Sequence, residues 1–94
     1  MSDTQLTRPD EAIALRLIQV IRTDAETVCA PDRVDLVSVT FDVAAAGAEP
    51  TMLNYTPRID RKTRTILFTG GSAEGARGIV MTATAVYRIT PKAG

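Results

Sequence analysis

The chain has 94 residues, with no histidine, no tryptophan and a single cysteine. Its 11 basic and 11 acidic residues give a formal net charge of zero, which argues against a nucleic-acid partner held mainly by phosphate contacts. The lack of histidine excludes Ser-His and Cys-His nucleophilic mechanisms and histidine metal sites, and one cysteine excludes an intrachain disulfide.

A long helix is predicted over residues 9–29. Apolar residues recur there at spacings of three, four and seven, which places them on one helical face. These residues are Ile13, Leu17, Val20, Ile21 and Val28. Pro31 ends the helix, because the residue before a proline is pushed out of the helical region.

Four strands are predicted after the helix, because apolar and polar residues alternate and β-branched residues are frequent. The strands run from Val34 to Ala44, Met52 to Ile59, Arg64 to Thr69 and Arg77 to Ile89. A charged turn over 60–63 and a glycine-rich loop over 70–75 join the last three strands. Pro57 indicates an edge strand or a bulge. The short connections predict an antiparallel meander.

These elements predict an α+β fold, with one long helix packed on a curved antiparallel sheet of about four strands. Residues 9–91 are expected to form a single domain, between a disordered N-terminus over 1–8 and a tail over 92–94. The last strand is longer than so small a core needs, so we expect it to pair across the axis of a homodimer or a higher homo-oligomer.

The location predicted from sequence is cytoplasmic. No apolar run approaches the roughly 20 residues of a membrane span, and the polar start of the chain does not have the pattern of a secretory signal. Neither a membrane nor a nucleic acid is therefore expected as a partner.

The order of elements and two segments of the chain carry a family resemblance. Segment 58–64 is a basic turn, and segment 72–89 has the pair Glu74-Gly75 followed by spaced small and apolar residues at Val80, Ala83, Ala85 and Val86. Together they resemble the hotdog fold of the thioesterase and thiol ester dehydratase-isomerase superfamily, in a shortened form of the phenylacetate-type thioesterases. The usual first strand hairpin and His-Gly-Gly segment are missing.

The resemblance implies an acyl-CoA thioesterase that has no resident cofactor, with a coenzyme A thioester as substrate. In such enzymes a carboxylate on the long helix activates water or attacks the thioester, and Asp24 and Glu26 are the candidates here. The acyl chain is expected between helix and sheet, at a dimer interface. The candidates for binding the coenzyme A phosphates are Arg58, Arg61, Lys62 and Arg64.

Less specific interpretations stay open for each of these residues. The two carboxylates also fit a solvated end of the helix, and the four basic residues fit a solvated hairpin turn that protects a sheet edge. A non-catalytic hotdog module for dimerisation or acyl binding is the alternative function, and a small α+β interaction domain is a third. Cys29 is expected to be a buried thiol, and Tyr55 and Tyr87 are expected at the edges of the core.

Overall fold

The computed structural model describes residues 8–46 and 48–92 as one helix on a four-stranded antiparallel sheet. The helix and strands, in chain order, are α1 (Pro9–Cys29), β1 (Arg33–Val43), β2 (Asn54–Lys62), β3 (Ile66–Gly75) and β4 (Gly78–Thr90). A short 3-10 helix, Pro50–Met52, precedes β2. This is the α+β, hotdog-like layout predicted from the sequence. Apart from Arg8 and Lys92, the predicted N-terminus and tail lie outside the described residues.

The sheet has the strand order β1-β4-β3-β2, so β1 and β2 are its two edges. All neighbouring strands are antiparallel, as predicted, but the predicted meander is wrong for β1, which pairs with β4 and not with β2. The edge position predicted for the strand that contains Pro57 is therefore confirmed. It fits the chemistry of proline, which donates no hydrogen bond to a neighbouring strand.

The core lies between α1 and one face of the sheet. The helix contributes every fourth residue, because side chains four apart stack along one side of a helix. These residues are Ile13, Leu17, Ile21, Ala25 and Cys29, each at most 3% exposed. Val28, which the spacing placed on the buried face, is 40% exposed, and the smaller Ala25 is buried instead.

The middle strands complete the core with alternate residues. On β4 these are Met81, Ala83, Ala85, Tyr87 and Ile89, as the predicted alternation required. At the start of β4 the alternation changes: Val80 is buried and Ile79 is 43% exposed. The cause is a shift in strand register between Ala73 and Glu74 on the neighbouring β3.

Two predicted connections are wrong. The glycine-rich segment 70–75 is part of β3, and residues 60–62 of the charged turn are part of β2. Alternation of side chains gave no sign of this, since glycines at 70 and 71 carry no side chain to alternate. The hairpin turn itself covers 63–65, where Thr63 Oγ1 accepts a hydrogen bond of 2.9 Å from the Ile66 amide.

Two hydrogen bonds stabilise the periphery of the domain, one beside a bulge in the edge strand β2 and one at the end of the described chain. The hydroxyl of Thr69, the one buried polar residue of the described core, donates to the Arg58 carbonyl beside the bulge in β2. The Lys92 amide donates to Asp32 Oδ1 at 3.1 Å, which ties the end of the described chain to the start of β1. Among the described residues, no helix is long and apolar enough to cross a membrane.

Candidate functional site

Two grooves flank α1, one on each side of its buried row. Successive helical residues are rotated by about 100° around the helix axis. Asp24 and Arg22, three residues and one residue after the buried Ile21, therefore project to opposite sides of the helix. The β2-side groove has a volume of about 400 Å³ and is lined by Arg16, Gln19, Val20, Thr23, Asp24, Thr27 and Pro57. The β1-side groove has a volume of about 570 Å³ and is lined chiefly by Leu15, Ile18, Arg22, Glu26, Val34, Leu36 and Tyr87.

The two candidate carboxylates lie in different grooves. Asp24 is half-buried in the β2-side groove, whereas Glu26 is exposed on the rim of the β1-side groove. The other helix carboxylates, Asp10 and Glu11, are exposed in the first turn. Asp24 is thus the helix carboxylate most shielded from water. A single site cannot use Asp24 and Glu26 together within one chain.

The β2-side groove is walled by polar helix residues and by the ring of Pro57. Near its start the Arg16 guanidinium carbon lies 5.8 Å from the centre of the Tyr55 ring, within the range of a cation–π contact. Tyr55 also donates from its hydroxyl to the Pro50 carbonyl at 2.8 Å. These contacts hold α1 close to β2 at the end of the groove away from the β2–β3 hairpin.

The four candidate phosphate-binding residues do not form one cluster. Arg58 lies opposite Gly70 on the sheet face away from the helix, where its Nε donates to Asp60 Oδ1 at 2.9 Å. Arg61 pairs in register with Phe68 on that same open face. Lys62 instead pairs with the buried Leu67, which puts it on the helix side, and Arg64 is exposed in the hairpin turn.

Tyr87 forms the floor of the β1-side groove. The residue is 1% exposed, and its hydroxyl is buried without a hydrogen-bond partner among the described residues. Burial raises the pKa of the Tyr87 phenol, the Arg22 guanidinium opposes that rise, and the Glu26 carboxylate adds to it. Sequence reasoning missed this feature. Its signal was a tyrosine in a row of otherwise apolar core positions, since a buried phenol needs a partner.

Two further groups have raised pKa values because of burial. Burial raises the pKa of the Cys29 thiol, which the Lys62 ammonium partly opposes and the Asp32 carboxylate reinforces. Lys62 acts on Cys29 from the helix side of the sheet, where it pairs with the buried Leu67. Burial also raises the pKa of Tyr55, with Arg16 opposing the rise. Cys29 is buried, as predicted, and its thiol stays protonated at neutral pH.

In the part of the chain that the structure describes, no group of three acidic or cysteine side chains lies close enough together to bind a metal ion. No protein-family model and no curated protein matches the chain. The function therefore has to be argued from the two grooves and from the fold.

Proposed function

We propose that the chain is a hotdog-fold thioesterase-like protein that hydrolyses an acyl-CoA thioester in the β2-side groove. The observation that carries this proposal is the half-buried Asp24 carboxylate, which lies in a groove between the long helix and the sheet. The hotdog-like layout supports it, because the resemblance implies a helix carboxylate at this place. The proposal includes the cytoplasmic location expected from the sequence.

Asp24 is proposed as the general base. Its carboxylate takes a proton from a water molecule while the water oxygen adds to the thioester carbonyl carbon. The carbon–sulfur bond of the tetrahedral intermediate then breaks, and the protonated Asp24 returns its proton to the leaving thiolate. Thr23 and Thr27 lie beside Asp24 in the groove lining. Their hydroxyls donate to the helix carbonyls of Gln19 and Thr23, so their oxygens can accept a hydrogen bond from the attacking water.

Coenzyme A would enter from the β2–β3 hairpin. The contact of Arg16 with Tyr55 and the proximity of Cys29 to Lys62 show that α1 and β2 run in the same direction, so the groove leads towards this hairpin. Lys62 and Arg64 are proposed to bind the phosphates there, with Arg61 at the same end of β2. Arg58 contributes least in this arrangement, because its guanidinium is paired with Asp60 on the open face.

A homodimer is part of the proposal, but it cannot form through the last strand as the sequence suggested, because β4 lies between β1 and β3 and has no free edge. The edge strand β1 exposes large apolar side chains that one helix does not cover: Val37 at 54% and Val43 at 55%. A second copy that pairs along this edge would bury them and would satisfy the free backbone groups of β1.

The decisive experiment follows thiol release from short, long and aromatic acyl-CoA substrates. Turnover by the wild-type protein that falls at least about a hundredfold in Asp24→Asn supports the proposal, since general-base catalysis typically contributes that much. Asp10→Asn, an exposed carboxylate on the same helix, is the matched control and should keep full activity. Loss in Glu26→Gln with retention in Asp24→Asn would move the site to the other groove and contradict the assignment.

A non-catalytic acyl-binding or dimerisation module is the second candidate. It is favoured by the separation of the basic residues, because Arg58 and Arg61 lie on the face opposite Lys62. Saturable acyl-CoA binding with no thiol release from any substrate would establish this candidate. Binding that weakens in Lys62→Gln and Arg64→Gln, with no change in Arg58→Gln, would still place the ligand in the β2-side groove.

A further inference from the structure

The β1-side groove contains a hydrogen-bond donor that the free protein does not use. Tyr87 is 1% exposed, and its hydroxyl has no partner within residues 8–46 and 48–92. Buried polar groups in native proteins nearly always have a partner, because an unpaired group loses its hydration without compensation. An unpaired phenol at the floor of a groove therefore points to a ligand that accepts a hydrogen bond there.

The charges around the phenol favour an anionic acceptor. Arg22 lies on the helix rim of the groove, and its effect on the Tyr87 phenol exceeds that of Glu26, the acidic residue one turn further on. The third charged group is Asp35 on β1, which is already paired with Arg33 at 3.2 Å. Neither Arg22 nor Glu26 takes part in an ion pair with another described residue, and Arg22 is the one whose charge acts more strongly on the phenol, so the cation is the charge an acceptor at the phenol would meet first.

The walls of the same groove are apolar and unusually exposed. Leu15 on the helix is 57% exposed and Leu36 on β1 is 49% exposed, with Ile18 and Val34 half-buried below them. A volume of about 570 Å³ lies within the range of small-molecule sites. Apolar walls around one donor and one cation match a molecule with an apolar chain and a single anionic head.

We propose that the β1-side groove binds an aliphatic monocarboxylate, whose carboxylate accepts a hydrogen bond from Tyr87 and pairs with Arg22 while its chain lies along Leu15 and Leu36. This site lies on the other side of α1 from Asp24 and does not depend on the proposed hydrolysis. The side chains of Arg22 and Glu26 are exposed, so they can move aside for the head group to reach the phenol.

Octanoate is the probe, titrated into the intact chain at pH 7.5 by calorimetry, with octylamine as a charge-reversed molecule of the same length. We expect saturable binding of octanoate and none of octylamine. Tyr87→Phe and Arg22→Gln should each weaken octanoate binding about tenfold, the effect of one hydrogen bond to a charged group. Arg16→Gln removes an equally exposed arginine from the opposite groove and should change the affinity less than twofold.

Three results would overturn the proposal. The first is no binding of octanoate at about 1 mM, a concentration at which even weak ligands are detected. The second is equal binding of octylamine, or equal loss in Arg16→Gln and Arg22→Gln, since either would indicate non-specific apolar association. The third is an Arg22→Gln substitution that shifts the monomer–dimer equilibrium of a protein that does not bind octanoate. The hydrogen-bond partner of Tyr87 would then lie in a second copy of the chain. Arg22→Gln alters only a surface residue, so it decides the matter even if Tyr87→Phe folds poorly.

Discussion

Ile21 lies directly against Gly71 where α1 crosses β3. A Cβ atom on Gly71 would stand 3.1 Å from Ile21 Cγ1 and 2.8 Å from the carbonyl oxygen of Thr56 on the neighbouring strand. The helix therefore approaches the sheet to a distance that only a residue without a side chain permits. Ala83 and Ala85, the small residues on the adjacent β4, are buried under the same helix.

Gly71→Ala is expected to lower the free energy of unfolding by about 1–3 kcal/mol, the usual cost of overpacking a core. One of the two clashes is with a backbone oxygen, which cannot rotate away as a side chain can. Urea denaturation measures the change. Gly75→Ala is the control, because the Cβ there meets only side-chain atoms, the nearest being Leu53 Cδ2 at 3.0 Å. An equal loss in both variants would contradict the clash with the Thr56 carbonyl as the cause, because the effect of Gly→Ala on the unfolded chain is to raise stability.

Tyr87→Phe is expected to leave the ligand-free protein as stable as the wild type, or to raise its free energy of unfolding by about 1 kcal/mol. The reason is that the substitution removes a buried hydroxyl without a partner and keeps the aromatic ring. Denaturation without added fatty acid measures this effect. A loss of more than about 1 kcal/mol would mean that the hydroxyl already has a hydrogen-bond partner in the free protein.

Gly78→Ala is expected to destabilise the domain by about 1–2 kcal/mol through the backbone alone. Gly78 has a φ of +115°, a conformation that residues with a Cβ rarely adopt, and it forms the hairpin between β3 and β4. Nothing lies within 4 Å of the position that a Cβ atom would take there, so crowding makes no contribution. Thermal unfolding of Gly78→Ala beside Ala76→Gly, at the same turn, tests the point. A neutral Gly78→Ala would contradict the strained geometry.

The stability of the protein is expected to fall as the pH rises above about 9. Burial raises the pKa values of Cys29, Tyr55 and Tyr87, whose ordinary values are 9.0 for the thiol and 10.0 for the phenols. The unfolded chain therefore loses these protons first, and the folded state binds more protons than the unfolded state. Stability is complete below the ordinary pKa values and declines as the pH passes through the raised ones.

Urea denaturation between pH 7.5 and 10.5 measures this decline, and Cys29→Ala separates its two parts. With the thiol removed, the loss of stability should begin nearer pH 10, where only the tyrosines titrate. The comparison uses the slope against pH, since Cys29→Ala also leaves a small cavity in the core. Identical slopes in the wild type and the variant would show that the thiol does not contribute.

Val37→Lys on β1 is expected to convert the proposed homodimer into a monomer, because it puts a charge on an apolar edge. Sedimentation at micromolar concentration measures the mass. Thr56→Lys, an exposed residue on the opposite edge strand β2, is the matched control and should leave the mass unchanged. A wild-type protein that sediments as a monomer would refute the dimer, and dissociation by Thr56→Lys alone would place it at the other edge.

The helix and the sequence of elements along the chain could be predicted, because α1 and β4 are long and strongly patterned. The place of β1 in the sheet could not, since the short connections suggested a meander, whereas β1 pairs with β4. The limits of β2 and β3 could not, since Gly70 and Gly71 have no side chain to show an alternation. The placement of Asp24 and Glu26 in two different grooves could not be predicted either, because it depends on which row of helix residues faces the sheet. That row has the buried Ala25 and leaves Val28 40% exposed, so hydrophobicity alone does not identify it.

The strand order gives the sheet two different edge strands, β1 and β2. This difference limits how many copies of the chain can associate strand by strand. The β1 margin exposes Val37 and Val43, with an irregularity between Leu36 and Ser38, whereas the β2 margin has Pro57, an irregularity between Ile59 and Arg61, and a run of cations. A copy joined along the apolar margin leaves only the proline-interrupted one facing outward. Polymerisation strand upon strand would therefore stop at two chains, and the protein would not form open-ended fibres.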